Sequence, residues 1–282
     1  MLKIPTLEQL LEAGVHFGHQ IRRGHPRMRP FIYGARDGVH IIDLTKSQDM
    51  LKEACDFVYN LGKTNKVLLF VGIKKQARSI IEEWAVKLQA PYLVERWIGG
   101  FLTNFEEISK NIKRLKELKV QKGKGELKKY TKKEQLLIDR QIANLEKDYK
   151  GVFDLEVLPD AIFVCDASSD NVAVREASRL KIPVVAIADS NCDPTQIDYL
   201  IPGNDDAIKS IKILVEALAS AYEQGQKEAG KVAAKAAQKA SAAAEALADK
   251  EKDGIDEELK VEVAAAEEMV EKKAVKDSER VV

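Results

Sequence analysis

Two groups of residues in this chain have types and spacings that could do chemistry. All four histidines, His16, His19, His25 and His40, lie at the N-terminal end, and His16-Phe17-Gly18-His19 has His-x-x-His spacing. Two imidazoles at that spacing hold a divalent ion when carboxylates join them. Asp189 ends an apolar run, and Asp205-Asp206 follow Gly203-Asn204. If those runs are strands of a parallel sheet, their carboxyl ends share one edge and the acids converge. The ligand set suggested for zinc or magnesium is His19, Asp189, Asp205 and Asp206. In the competing reading, Asp205 or Asn204 caps a helix, and the histidines are structural or touch phosphate.

The second group is cationic. Arg22, Arg23, Arg27 and Arg29 are interleaved with His25, Pro26 and Pro30, then followed by Phe31, Tyr33 and Arg36. The prolines predict an extended segment. Extended arginines pair bidentately with phosphates, and nearby aromatics stack on exposed bases. Lys74, Lys75 and Arg78 follow Gly72, and Arg96 opens Arg96-Trp97-Ile98-Gly99-Gly100. Lys110, Lys113 and Arg114 lie in the charged stretch beyond. Jointly these patches point to RNA.

The elements that must position these residues alternate. Short β-branched runs at Val39–Leu44, Lys66–Gly72, Pro91–Val94, Asp160–Asp166 and Pro183–Asp189 predict strands. Tyr199 and Leu200 form another short one. Helices are predicted at Lys46–Leu61, Lys75–Leu88, Asn171–Leu180 and Asp205–Ala221. Strands separated by helices require right-handed crossovers, hence an α/β, mostly parallel doubly wound sheet.

Residues 105–150 break the alternation, with 14 Lys+Arg against 8 Asp+Glu. Ile108, Ile112, Leu115 and Leu118 form one narrow stripe; Ile138, Ile142, Leu145 and Tyr149 form another. With the Gly123-Lys124-Gly125 breaker between them, they predict an antiparallel helical hairpin standing off the sheet. Residues 1–225 read as one domain with this insert. Residues 226–282, rich in Ala, Lys and Glu, read as a tail that frays from helix into disorder.

Several classes drop out. The chain is 282 residues with 45 Lys+Arg and 45 Asp+Glu. Cys55, Cys165 and Cys192 form no C-x-x-C pair, so a reducing, cytoplasmic setting is expected. No apolar run approaches the roughly 20 residues of a membrane span. No G-x-G-x-x-G follows a strand, and no G-x-S-x-G elbow is present. Gly225 through Val232 resembles a phosphate loop but lacks the Ser or Thr that holds magnesium.

Gly14-Val15-His16-Phe17-Gly18-His19-Gln20 resembles the N-terminal signature of the bacterial small-subunit ribosomal protein S2 family. Further matches follow in order at Pro30–Arg36, Val39–Leu44, Leu69–Gly72, Arg96–Asn104, Leu158–Ala161 and Ile201–Ala207. The resemblance spans roughly residues 6–222. It implies a flavodoxin-like sheet of five parallel strands with an inserted coiled-coil hairpin, no catalysis and no required cofactor. It further implies a place on the small ribosomal subunit where head meets body. Contacts there would be to 16S rRNA and neighbouring proteins, including the large messenger-binding protein number one. The alternative, from fold class alone, is a nucleotide- or phosphosugar-binding enzyme.

Overall fold

The computed structural model describes residues 2–231; the expected fraying of the alanine-rich stretch beyond lies outside them. Helix α1 (Leu7–Glu12) opens with a capping box: Gln9 N donates to Thr6 Oγ1 and Thr6 N to Gln9 Oε1. Three short strands follow, β1 (Phe17–Gln20), β2 (Ile32–Arg36) and β3 (Val39–Ile42). They form an antiparallel sheet in the order β1-β3-β2. Only β3 is legible in the sequence. Between β1 and β2, Ile21–Arg23 and Pro26–Phe31 coil into 3-10 turns rather than the extended segment expected. Pro26 sits at the start of its turn, where a missing N–H costs nothing.

The strand expected to reach Leu44 stops at Ile42 because Asp43 accepts from Thr45 N (3.1 Å) and starts α2 (Leu44–Lys63). Then come β4 (Leu68–Val71), α3 (Lys75–Leu88) and β5 (Tyr92–Leu93). The insert is α4 (Phe105–Gly123) and α5 (Lys132–Tyr149). The chain returns through β6 (Ala161–Val164), α6 (Asn171–Arg179), β7 (Val184–Ala188) and β8 (Tyr199–Pro202). It ends in α7, residues 208–231.

The main sheet is five-stranded and parallel throughout, in the order β5-β4-β6-β7-β8. Strands β4, β6 and β7 are buried at every position, as a sheet covered on both faces requires. Alternation along each strand divides the core into two layers. Leu68, Phe70, Phe163, Val185 and Ile187 pack with α2, α3 and α7 residues. Leu69, Val71, Ile162, Val164, Val184 and Ala186 pack with α6 and the base of the α4–α5 insert.

The insert is antiparallel: Lys122 pairs with Asp139 (2.9 Å), Lys119 with Glu146 (2.8 Å), and Asn111 reaches the Tyr149 hydroxyl (3.3 Å). Ile108, Ile112, Leu115, Ile142 and Tyr149 of the two stripes are buried, with Leu118, Ile138 and Leu145 partly covered. Its base belongs to the sheet's second apolar layer, so the pair stands off only toward its turn, where Val120, Leu136 and Leu137 are half exposed.

Helix α7 carries past the boundary expected at residue 225, and the compact unit runs to Ala229. Tyr59 donates to Glu228, Gln226 Nε2 reaches Leu88 O and Ala229 is buried. The crossing of α2 over α7 is glycine on both sides. A Cβ on Gly225 would lie 2.2 Å from Tyr59 O, and one on Gly62 would lie 2.6 Å from Tyr222 O. Gly225, part of the phosphate-loop near match, therefore serves helix packing. Gly225→Ala is expected to cost about 1–3 kcal/mol through overpacking, read as a lower urea midpoint. Gly230→Ala, which meets nothing within 4 Å, should leave the midpoint unchanged or raise it.

Candidate functional site

The carboxyl ends of β4, β6, β7 and β8 carry Lys74, Asp166, Asp189 and Asp205-Asp206 to one edge of the sheet, as their spacing along the chain requires. The N-terminal segment lies across this edge. Asn204 N donates to Val15 O and Asn204 Nδ2 to Gly14 O. His19 N donates to Asp189 Oδ1 (3.1 Å) and Ser190 Oγ (2.8 Å), and His25 N to Ser190 O (2.7 Å). The approach needs glycine: a Cβ at Gly18 would sit 2.9 Å from Ser190 Oγ.

Lys74 occupies the centre. Its Nζ lies 2.6 Å from Asp206 Oδ1, 2.7 Å from Asp205 Oδ1 and 3.1 Å from Asp166 Oδ2. Burial would lower its pKa, but the bonds to Asp205 and Asp206 hold it above the usual lysine range. Asp205, 1% exposed, is pushed up to about 7 by burial and then by the charge of Asp166. Burial works to raise Asp166 too. Bonds from Ser169 and the Lys74 charge outweigh it, and Asp166 lies below its ordinary value. Asp170 is buried, has one carboxylate oxygen without a partner and is raised to about 7, first by burial and then by Asp166.

The proposed metal ligands converge in part. Among the described residues, His19, Asp205 and Asp206 bring three donor atoms within 4.8 Å of one another. Asp189 stands behind them: its Oδ2 accepts from His19 Nδ1 (2.9 Å), turning Nε2 toward Asp206 Oδ2 (3.5 Å). That is the orienting partner of a ligand histidine, not a fourth ligand. It also raises the His19 pKa, its hydrogen bond being the largest cause. The helix-capping role belongs to Asn204, whose Oδ1 accepts from Asp206 N (2.8 Å) and Ala207 N (3.1 Å). A metal here would share Asp205 and Asp206 with Lys74.

The cations divide by what they already hold. Lys74 holds three carboxylates. Arg27 bonds Asp193 (3.1 Å) and Thr195. Arg78 bonds Ile73 O and Glu95, Arg96 bonds Asp148 (2.9 Å), and Lys110 bonds Glu107 (2.6 Å). Arg114 reaches the Gln141 amide across the hairpin. Arg22 bonds Gln20 (2.8 Å), and Arg36 lies 3.7 Å from Asp37 with both side chains in solvent. Arg23, Arg29, Lys75 and Lys113 are exposed, with no carboxylate partner among the described residues.

Sequence reasoning missed Glu176. This α6 carboxylate, 9% exposed, accepts from Trp97 Nε1 (3.0 Å), Gly100 N (2.7 Å), Leu102 N (3.0 Å), Thr103 N (3.2 Å) and Thr103 Oγ1 (3.3 Å). Burial works to raise its pKa; the Trp97 and backbone bonds win, and it lies below the usual range. The loop from Arg96 to Asn104 is thus folded around a buried anion, and nothing in its spacing announces the distant partner.

Comparisons with known proteins agree with this architecture. The family model described as Ribosomal protein S2 matches residues 10–225. A small ribosomal subunit protein uS2 from Coprothermobacter proteolyticus is 47% identical over 226 residues, covering 80% of this chain and 84% of its own length. The protein of that name from Geotalea uraniireducens is 46% identical over 220 residues, 78% of this chain and 86% of its own.

Glu176→Gln should cost about 1–3 kcal/mol, and Glu176→Ala more, because it leaves all five donors without an acceptor. The folded carboxyl pKa is depressed, so its contribution is present above about pH 4.3, the ordinary glutamate value, and is lost as pH falls through the folded value. Urea midpoints at pH 7 and pH 4 check both. Lys74→Met should also destabilise, and more at pH 8 than at pH 6. Losing the ammonium raises the folded carboxylate pKa values further, so the variant recovers stability as they protonate.

The match over residues 10–225, with relatives covered over most of their length, places this chain in the ribosomal protein S2 family.

Proposed function

We propose that the chain binds 16S rRNA through its N-terminal arginines and the cationic hairpin. On this reading it sits near the head–body junction of the small subunit and contacts neighbouring proteins there, the large messenger-binding protein among them. The observation that carries this reading is the set of cations left over. Arg23, Arg29, Lys75 and Lys113 are exposed and outside every ion pair among the described residues, whereas Lys74, Arg78 and Arg96 are held by the fold. The nucleotide-enzyme alternative loses its footing: the edge where a doubly wound sheet binds its ligand holds Lys74 and its carboxylates, covered by the N-terminal segment.

Sucrose-gradient fractionation of a lysate tests this. The protein is expected in the small-subunit peak in stoichiometric amount, and an Arg22/Arg23/Arg29→Glu variant is expected to shift to the top. Absence of the unaltered protein from every ribosomal fraction would defeat the reading.

A divalent metal is a second element, favoured by the geometry of His19. We infer zinc rather than magnesium, because an imidazole nitrogen with two carboxylates suits zinc, while magnesium demands oxygen ligands. It would stiffen the joint between the N-terminal segment and the sheet edge as a docking surface for a partner protein. Elemental analysis of the purified protein should show zinc in the unaltered chain and its loss in His19→Ala. Equal zinc in both would remove His19 from the site.

A further inference from the structure

Lys74 Nζ already occupies the carboxylates that a divalent ion would take. It lies 2.7 Å from Asp205 Oδ1 and 2.6 Å from Asp206 Oδ1. Zinc draws carboxylate oxygens to about 2.0–2.2 Å. A carboxylate shared by an ammonium and a dication brings the two within a few ångströms, where like charges repel.

The two cations reach the site from opposite sides. Lys74 immediately precedes α3, its side chain is mostly buried, and its third contact is buried Asp166 (3.1 Å). His19 and Asp206 form the outer side. Asp206 is half exposed; its Oδ2 faces His19 Nε2 (3.5 Å) while its Oδ1 faces Lys74. The way in from solvent therefore passes Asp206, and the ammonium has a place to retreat. Asp166 is fixed by bonds from Ser168 N, Ser169 N and Ser169 Oγ to its carboxylate. Asp170, whose N–H bonds Asp166 O (3.0 Å), is buried with one carboxylate oxygen unpartnered. The Lys74 charge already acts on that carboxyl. The flexible four-carbon stem of lysine permits the shift.

We propose that Lys74 is the resident cation of this site and a built-in competitor for its metal: a divalent ion taking His19, Asp205 and Asp206 drives the ammonium back onto Asp166, and Lys74 returns when the ion leaves. The proposal rests on the metal reading above and adds its regulation. The empty site stays charge-compensated, and the N-terminal segment stays seated, because His19 N bonds Asp189 and Ser190 without any ion. Lys74 thereby keeps the metal exchangeable rather than permanent.

The test is a zinc titration of the full chain, first freed of metal, in competition with a chromophoric zinc chelator. Lys74→Met is expected to bind zinc about tenfold more tightly than the unaltered chain, the scale of removing one like charge from the site. Lys74→Arg keeps the charge and should restore the unaltered affinity. Lys209, three residues beyond Asp206, is exposed and makes no ion pair among the described residues. Its loss in Lys209→Met should change the affinity by no more than about twofold, since solvent screens it. Because Lys74→Met is less stable, affinity is also read as the rise in urea midpoint at a fixed zinc concentration, expected to exceed that of the unaltered chain.

Equal or weaker zinc binding by Lys74→Met in both readouts, with zinc still lost in His19→Ala, overturns the competition and leaves the metal reading standing. Lys74 then only positions the carboxylates. A gain as large in Lys209→Met makes the effect one of overall charge and equally overturns it. An unaltered chain that binds no zinc overturns both.

Discussion

One ammonium group holds the carboxyl edge of this sheet together. Three aspartates brought there by β6 and β8, Asp166 and Asp205 buried and Asp206 at the rim, would repel one another. Lys74 Nζ, within about 3 Å of all three, makes their company tolerable. Asp189, at the end of the neighbouring strand, binds the backbone and ring of His19 and so seats the N-terminal segment. The turns that carry the arginines then have a fixed place from which to project. The same geometry that serves ligand binding in other doubly wound sheets is here turned inward, to attach one part of the chain to another.

Charge in this protein therefore does two jobs. Lys74, Glu176, Arg78 and Arg96 are structural ions, each with partners supplied by a different element. Arg23, Arg29, Lys75 and Lys113 are exposed and make no ion pair among the described residues. An overall formal charge of zero conceals this division. It is the unpaired cations, not the total, that a polyanion would meet.

Much of the architecture was legible because hydrophobic period speaks loudly. Helix Lys75–Leu88 and the two stripes of the insert stand where the spacing of apolar residues puts them. The buried strands were visible as unbroken apolar runs, though each is shorter than its run, since Asp43 and Asp160 spend themselves on backbone N–H groups. Strands β1 and β2 were not legible. FGHQ and IYGAR are short, half polar and paired at the edges of a small sheet, so tertiary contact rather than local pattern makes them strands. The acid cluster was readable from topology alone. What each member does was not: Lys74 looks like any loop lysine until Asp166 is placed beside it, and Asp189 is a ligand or an orienting group only according to which way His19 turns. Glu176 gives no local sign at all, because its partners, mostly backbone groups, lie more than seventy residues earlier in the chain.

The helical insert has a consequence for how the chain closes on itself. Strands β4 and β6 are hydrogen-bonded neighbours, yet Val67 and the Asp160 carboxylate that receives its N–H are 93 residues apart. That is a long segment to close before the central pair of the sheet can form. Arg96 and Asp148, 52 residues apart, meet at the foot of the hairpin. Once the two helices zip along their local stripe, the span left to be searched is roughly halved, worth about 0.6 kcal/mol in closure entropy. The hairpin thus works as a clasp, shortening the loop that the sheet's longest crossover has to close.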